Sequence, residues 1–183
     1  QWVREILEHF DQLEVFIEKN SRAPAEYAPE NAPEFVAFVR RRRSCRVWNA
    51  SQPPIKDLIE VGYQMIDAAR WAPTSGNRQP WRFVFLNDPE KKELLRGLKE
   101  QHCISGPMLI FIGMDTRVYG ALGESEASIY IDAGAAIMQM VLTAHECGLG
   151  VCWNHFASDL IDSRPQNRPV YDAFAAAMGI PSY

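Results

Sequence analysis

The longest helical pattern in the chain runs from Ser125 to Cys147, and it restricts the fold more than any other stretch. Ile129, Ala133, Ala136, Ile137, Met140, Val141 and Ala144 recur at the spacing of one helix face. Several of them are small, so a second helix can come close. Gly148-Leu149-Gly150 stops the pattern, because glycine readily takes the left-handed conformation just past a helix end. A helix this apolar needs a layer to pack against.

The remaining elements supply one. Pro53-Pro54 opens a second long helix, since proline is tolerated in the first turn. Its face is Ile55, Leu58, Ile59, Gly62, Met65, Ile66 and Ala69, and Pro73 ends it by disfavouring a helical Ala72. Arg82 to Leu86 reads as a strand, Asp88-Pro89 as a turn, and Glu90 to Glu100 as a helix burying Leu94, Leu95 and Leu98. Met108 to Met114 is a continuous apolar run, the pattern of a strand buried on both faces. Val151 to Asn154 reads as another strand, and Val170, Phe174 and Met178 mark a last helix ending near Gly179.

Ahead of these, residues 1–18 read as a helix through Trp2, Ile6, Phe10, Leu13 and Ile17. Asn20 to Pro33 reads as a linker. A short helix from Pro33 to Arg43 follows, with Phe35, Val36, Phe38 and Val39 as its buried side. The expectation is a helical extension and linker over residues 1–32 and a main domain over residues 33–183. Helices and strands in this order make a layered α+β or mixed α/β domain.

At 183 residues the chain is long enough to bury a real core. Removing the five arginines of residues 40–46 from the net charge of -4 leaves -9 on the remainder. That is a local anion site on an acidic body, so a general nucleic-acid binder is not expected. The sequence shows no apolar run of about 18 residues, so no spanning helix is expected, and neither is a secretion leader. Cys45, Cys103, Cys147 and Cys152 lack a paired spacing and read as reduced thiols of a cytoplasmic protein. Cys147, Cys152 and His155 do not form a zinc signature, so no metal is expected.

Two motifs carry chemistry. The first is Arg42-Arg43-Ser44-Cys45-Arg46. Guanidinium groups bind phosphate through paired charge-assisted hydrogen bonds, and the Ser44 hydroxyl adds a donor. The bland alternative is a solvated basic face. The second is Pro73-Thr74-Ser75-Gly76-Asn77-Arg78-Gln79-Pro80-Trp81. Its carboxamides each present a donor and an acceptor, which suits a flavin pyrimidine edge. Gly76 permits a positive φ, and Trp81 packs beneath the loop. Here the bland alternative is an ordinary turn-rich loop.

In combination, and in this order, the two motifs resemble the FMN-dependent nitroreductase family. The resemblance extends to Asp132-Ala133-Gly134-Ala135-Ala136 and to Gly148-Leu149-Gly150-Val151-Cys152-Trp153, and covers roughly residues 35–181. It implies an α+β nitroreductase-like fold, with a central mixed sheet flanked by helices. It also implies that Arg42 and Ser44 bind the FMN phosphate, with Arg43 helping through its backbone. Arg46 would reach the ribityl chain or the N1/O2 edge of the ring. Asn77 and Gln79 would contact the flavin. Pro73, Thr74 and Ser75 would lie against the ring from the neighbouring subunit of a homodimer. Trp153, Asn154 and His155 would line its far side. The family continues past the Gly-Ile-Pro stretch into a further strand and a basic tail, which the residues up to Tyr183 do not include.

The implied activity is hydride transfer from NAD(P)H through FMN to a small-molecule electron acceptor such as a nitroaromatic or quinone, by a ping-pong mechanism. No protein nucleophile is required, and no residue is singled out as catalytic. Tyr119, Tyr130, Trp153 and Phe156 are candidates to stack on an aromatic acceptor. Other chemistries of the family, dehalogenation and flavin fragmentation, are alternatives. So is a flavin-binding sensor or store without turnover.

Overall fold

A computed structural model describes residues 34–119, 127–156 and 165–180. The helix expected over residues 1–18, the linker after it and the expected division after residue 32 lie outside the described residues. The chain divides into two compact units, Gln1–Arg42 and Arg43–Tyr183.

In the first unit, helix α1 spans Glu34–Arg41, and Arg42 N–H donates to the Val39 carbonyl at its end. This helix buries none of its residues, and Phe35 is 64% exposed. The expected buried side is therefore not observed.

The second unit is built on two helices, α2 (Ile55–Ala69) and the longer one, which spans Ala127–Glu146. They pack directly on each other. Ala69, Ala136 and Ala144 are fully buried at the seam, with Met65, Met140 and Trp81 filling the space around them. Small side chains allow this close approach, as the spacing predicts. Gly62 makes room on α2 for a different neighbour: a Cβ there would sit 2.3 Å from Cε1 of Phe85.

Strand β1 (Trp81–Leu86) pairs antiparallel with β2 (Leu109–Met114), in register from Trp81 opposite Met114 to Leu86 opposite Leu109. An isolated parallel bridge joins Ser44 to Val151, so both kinds of pairing occur. The architecture is α+β, as expected. Three details differ. None of the residues of β2 is fully buried, so it is not a strand covered on both faces. The strand expected over Val151–Asn154 is reduced to the Val151 bridge, and the Asn154 side chain instead donates to the Cys152 carbonyl at 3.2 Å. That local bond occupies a carbonyl that a neighbouring strand would use.

The third difference concerns Glu90–Glu100. Helix α3 spans only Pro89–Glu93, capped by the Asp88 carboxylate, which accepts from the Glu90 and Lys91 backbone. Gly97 then takes φ 88°, which ends any helix, and α4 (Gln101–Ser105) starts afresh. Leu95 is still buried, in a second core with Leu86, Ile104 and Phe174. Lys92 is buried and donates from Nζ to the Gly106 carbonyl at 2.7 Å; desolvation holds its ammonium below the ordinary lysine range.

The long helix, α5, ends at Gly148 with φ 74°, and Leu149 N–H reaches back to the Ala144 carbonyl at 2.9 Å. Helix α6 (Arg168–Met178) ends in the same way at Gly179, with Ile180 N–H bonded to the Ala175 carbonyl. By length and composition α5 is apolar enough to cross a membrane, contrary to the sequence expectation. Its packing against α2 is that of a core helix.

Candidate functional site

Among the described residues, the loop between α2 and β1 holds both non-glycine residues with positive φ. Thr74 is extended, and Ser75–Asn77 forms a short 3-10 turn. Gly76, Asn77 and Gln79 then take φ of 58°, 53° and 50°. Left-handed backbone costs a non-glycine residue roughly 1–2 kcal/mol. Glutamine has no special tolerance for it, so the surroundings must hold this loop in place.

Several contacts do so. Asn77 N–H donates to the Thr74 carbonyl at 2.9 Å, and Gln79 N–H to Thr74 Oγ1 at 3.3 Å. Ser75 N–H donates to both carboxylate oxygens of Asp132 on α5, each at 3.0 Å. The Tyr119 hydroxyl donates to the same carboxylate at 2.7 Å. Arg78 folds back across Gly76, donating from Nη1 to the Ser75 carbonyl at 2.6 Å and from Nε to the Val118 carbonyl at 2.9 Å. Its guanidinium also lies over the Tyr119 ring, 5.6 Å from the centroid. Trp81 is buried beneath, as expected.

Held this way, the side chains of Asn77 and Gln79 are exposed and bonded to each other, Nε2 of Gln79 to Oδ1 of Asn77 at 3.2 Å. Among the described residues this leaves the Asn77 amide donor and the Gln79 carbonyl acceptor unengaged. A donor beside an acceptor is what a pyrimidine edge requires, so the pair fits a flavin.

The second predicted cluster sits on the segment that follows α5. The Ser44–Val151 bridge carries a bond from Cys45 N–H to the Val151 carbonyl at 2.9 Å. Contact is so close that a Cβ on Gly150 would lie 2.7 Å from Cys45 Sγ. Arg43, Ser44 and Arg46 are exposed here. Arg42 closes the other compact unit. Beyond Val151, the Trp153 ring lies against Gly134 of α5, 3.7 Å from where a Cβ would be. The His155 ring is 6.4 Å from that of Tyr130, and the His155 carbonyl accepts a bond from Lys99 Nζ.

Two of the three predicted segments therefore attach to one short length of α5. Tyr130 and Gly134 meet the Trp153–His155 strip, and Asp132 between them meets the Pro73–Gln79 loop. The arginine segment reaches the same strip through Val151. The motif around Asp132 does not by itself reveal its role as acceptor for Ser75 and Tyr119. The available signal was its place on the apolar face between Ile129 and Ala136, where an acidic residue needs a partner. A second feature missed is Asp115, whose carboxylate accepts from Arg117 at 2.7 and 2.8 Å and from Arg82 at 3.2 Å. The Arg117 hydrogen bonds hold its pKa down to about 2. All four cysteines are free. Among the described residues no group of three His, Cys, Asp or Glu side chains is placed to hold a metal.

Comparison with known proteins bears on this arrangement. The model of the Nitroreductase family matches residues 39–103 and 95–183. A protein assigned provisionally as a nitroreductase and solved in complex with FMN, from Desulfovibrio desulfuricans, superposes with a TM-score of 0.63 at 25% identity. The match covers 79% of this chain and 78% of that one. Iodotyrosine deiodinase of Drosophila melanogaster is 31% identical over 107 residues, 54% of this chain. A protein of Archaeoglobus fulgidus, assigned provisionally as an NADH dehydrogenase/NAD(P)H nitroreductase, is 28% identical over 127 residues, 66% of this chain. The chain spans 36% of the length of the Drosophila protein and 66% of the Archaeoglobus protein.

Proposed function

The chain belongs to the nitroreductase family, and we propose that it is an FMN-dependent oxidoreductase that takes reducing equivalents from NAD(P)H and passes them to a small electron acceptor. The observation that carries this reading is the left-handed loop that presents Asn77 and Gln79 as an exposed donor–acceptor pair. FMN, when bound, supplies the hydride chemistry. The chain's residues supply placement. Arg42, Arg43 and Ser44 hold the phosphate. Arg46 brings positive charge to the N1/O2 edge, and Asn77 and Gln79 grip the pyrimidine edge. Trp153, Asn154 and His155 cover the far side and exclude water.

Pro73, Thr74 and Ser75 act on the flavin of a partner subunit in a homodimer. Exposed apolar side chains support that assembly: Trp71 is 81% exposed and Ile131 68%. Four free thiols support a cytoplasmic setting.

Reductive dehalogenation is the second reading, supported by the 31% identity to an iodotyrosine deiodinase. An absorption spectrum of the purified protein, then one addition of NADH, tests the main reading. Yellow protein that bleaches on NADH is expected. Protein that stays colourless after incubation with FMN would overturn it. Nitroaromatic and halotyrosine acceptors, compared side by side, separate the two chemistries.

A further inference from the structure

Ser75, Arg78, Tyr119 and Asp132 form a closed ring of interactions that joins the α2–β1 loop, the turn after β2 and the long helix α5. Asp132 is 4% exposed and accepts from Ser75 N–H and from the Tyr119 hydroxyl. Arg78 closes the ring by bonding the Ser75 carbonyl on one side and the Val118 carbonyl on the other, with its guanidinium over the Tyr119 ring. The two left-handed carboxamide residues flank Arg78 directly. Asp132 reaches the loop through Ser75 N–H, and Tyr119 reaches it through its ring beneath the Arg78 guanidinium. Their hold on the carboxamides passes through the backbone of Ser75 and the side chain of Arg78.

We propose that Asp132 and Tyr119 are positioning residues: they hold the Ser75–Gln79 backbone in its left-handed form, so that the Asn77 and Gln79 side chains are already arranged before the flavin arrives. This rests on the flavin reading above. The ring preorganises the loop. A loop that must adopt unfavourable φ angles on binding would weaken affinity by the fraction of time it spends elsewhere. A buried carboxylate is well suited to prevent that, because losing its donors would leave it desolvated without compensation. Tyr119, a candidate for stacking on an aromatic acceptor from sequence, is buried with its hydroxyl committed to Asp132. In this arrangement its role is to support the loop.

The test uses Asp132→Asn and Tyr119→Phe on the full chain, with Asn77→Asp as control, since aspartate tolerates the left-handed backbone and lacks the amide donor. Amide hydrogen exchange is followed without FMN, and FMN affinity is measured separately by fluorescence titration. Asp132→Asn is expected to speed exchange at Ser75–Gln79 about tenfold, to leave α5 and β1 unchanged, and to raise the FMN Kd about tenfold, the loss of one hydrogen bond to a charged group. Tyr119→Phe shifts both in the same direction by less. Asn77→Asp raises the Kd with loop exchange unaltered. Unchanged loop exchange overturns the proposal, and so does faster exchange with unchanged Kd, which makes the ring merely structural. If Asp132→Asn does not fold, Tyr119→Phe carries the same two readouts. If the wild-type chain binds no FMN the functional reading falls, while the exchange measurement still decides whether the ring orders the loop.

Discussion

The thiol of Cys45 fills the space that a side chain at residue 150 would need. A Cβ on Gly150 would sit 2.7 Å from Cys45 Sγ and 3.0 Å from its Cβ. The arginine segment can therefore bridge to Val151 only because residue 150 is glycine. Gly150→Ala is expected to push the two segments apart and cost about 1–3 kcal/mol, the usual penalty for overpacking. Cys45→Gly in the same chain should recover part of that loss. A double-mutant cycle by urea unfolding checks it, and additive effects would show that the two positions do not meet.

Gly62 is the second point of close approach. An alanine Cβ would meet the Phe85 ring edge at 2.3 Å, and that ring already packs on Tyr63 at 5.4 Å. Gly62→Ala is expected to destabilise by about 1–3 kcal/mol although alanine is the better helix former. Chemical denaturation measures it. A stabilised variant would mean that helix propensity outweighs the contact.

Arg42→Ala removes a proposed phosphate ligand. The expected loss is roughly 1.5–3 kcal/mol of FMN affinity, about one to two decades in Kd. Titration by flavin fluorescence reads it directly. An unchanged Kd would place the phosphate elsewhere.

Asp115 gives a prediction in pH. Hydrogen bonds from Arg117, with the nearby Arg82 charge, hold its pKa at about 2 against an ordinary 3.8. The folded pKa is the lower one, so the ionised carboxylate stabilises the fold above the ordinary value. That contribution is lost as pH falls from 3.8 through about 2. An NMR titration of the Asp115 carboxyl carbon should show the depressed midpoint. Arg117→Gln should move it back up, and a midpoint that does not respond would rule out Arg117 as the cause.

The sequence made local features readable and long-range ones not. The apolar periodicity of α2 and α5 reports their faces, because burial repeats with the helix turn. Gly148 and Gly179 were legible as stops for the same local reason. Gly97 was also visible, but its neighbours Leu94, Leu95 and Leu98 have helical spacing, which concealed the break at φ 88°. Val151–Asn154 has the composition of a strand, but Asn154 satisfies the Cys152 carbonyl within the segment. The bond from Ser75 to Asp132 spans 57 positions. No periodicity connects such residues, so the loop was found and the group that holds it was not.

Asp132 and Gly134 are two positions apart on α5, about 200° around a helix of 3.6 residues per turn. One side of that rod thus grips the carboxamide loop and nearly the opposite side bears Trp153. Both contacts fall within a single turn of one helix, so displacing that turn would disturb the carboxamide loop and the Trp153 segment together.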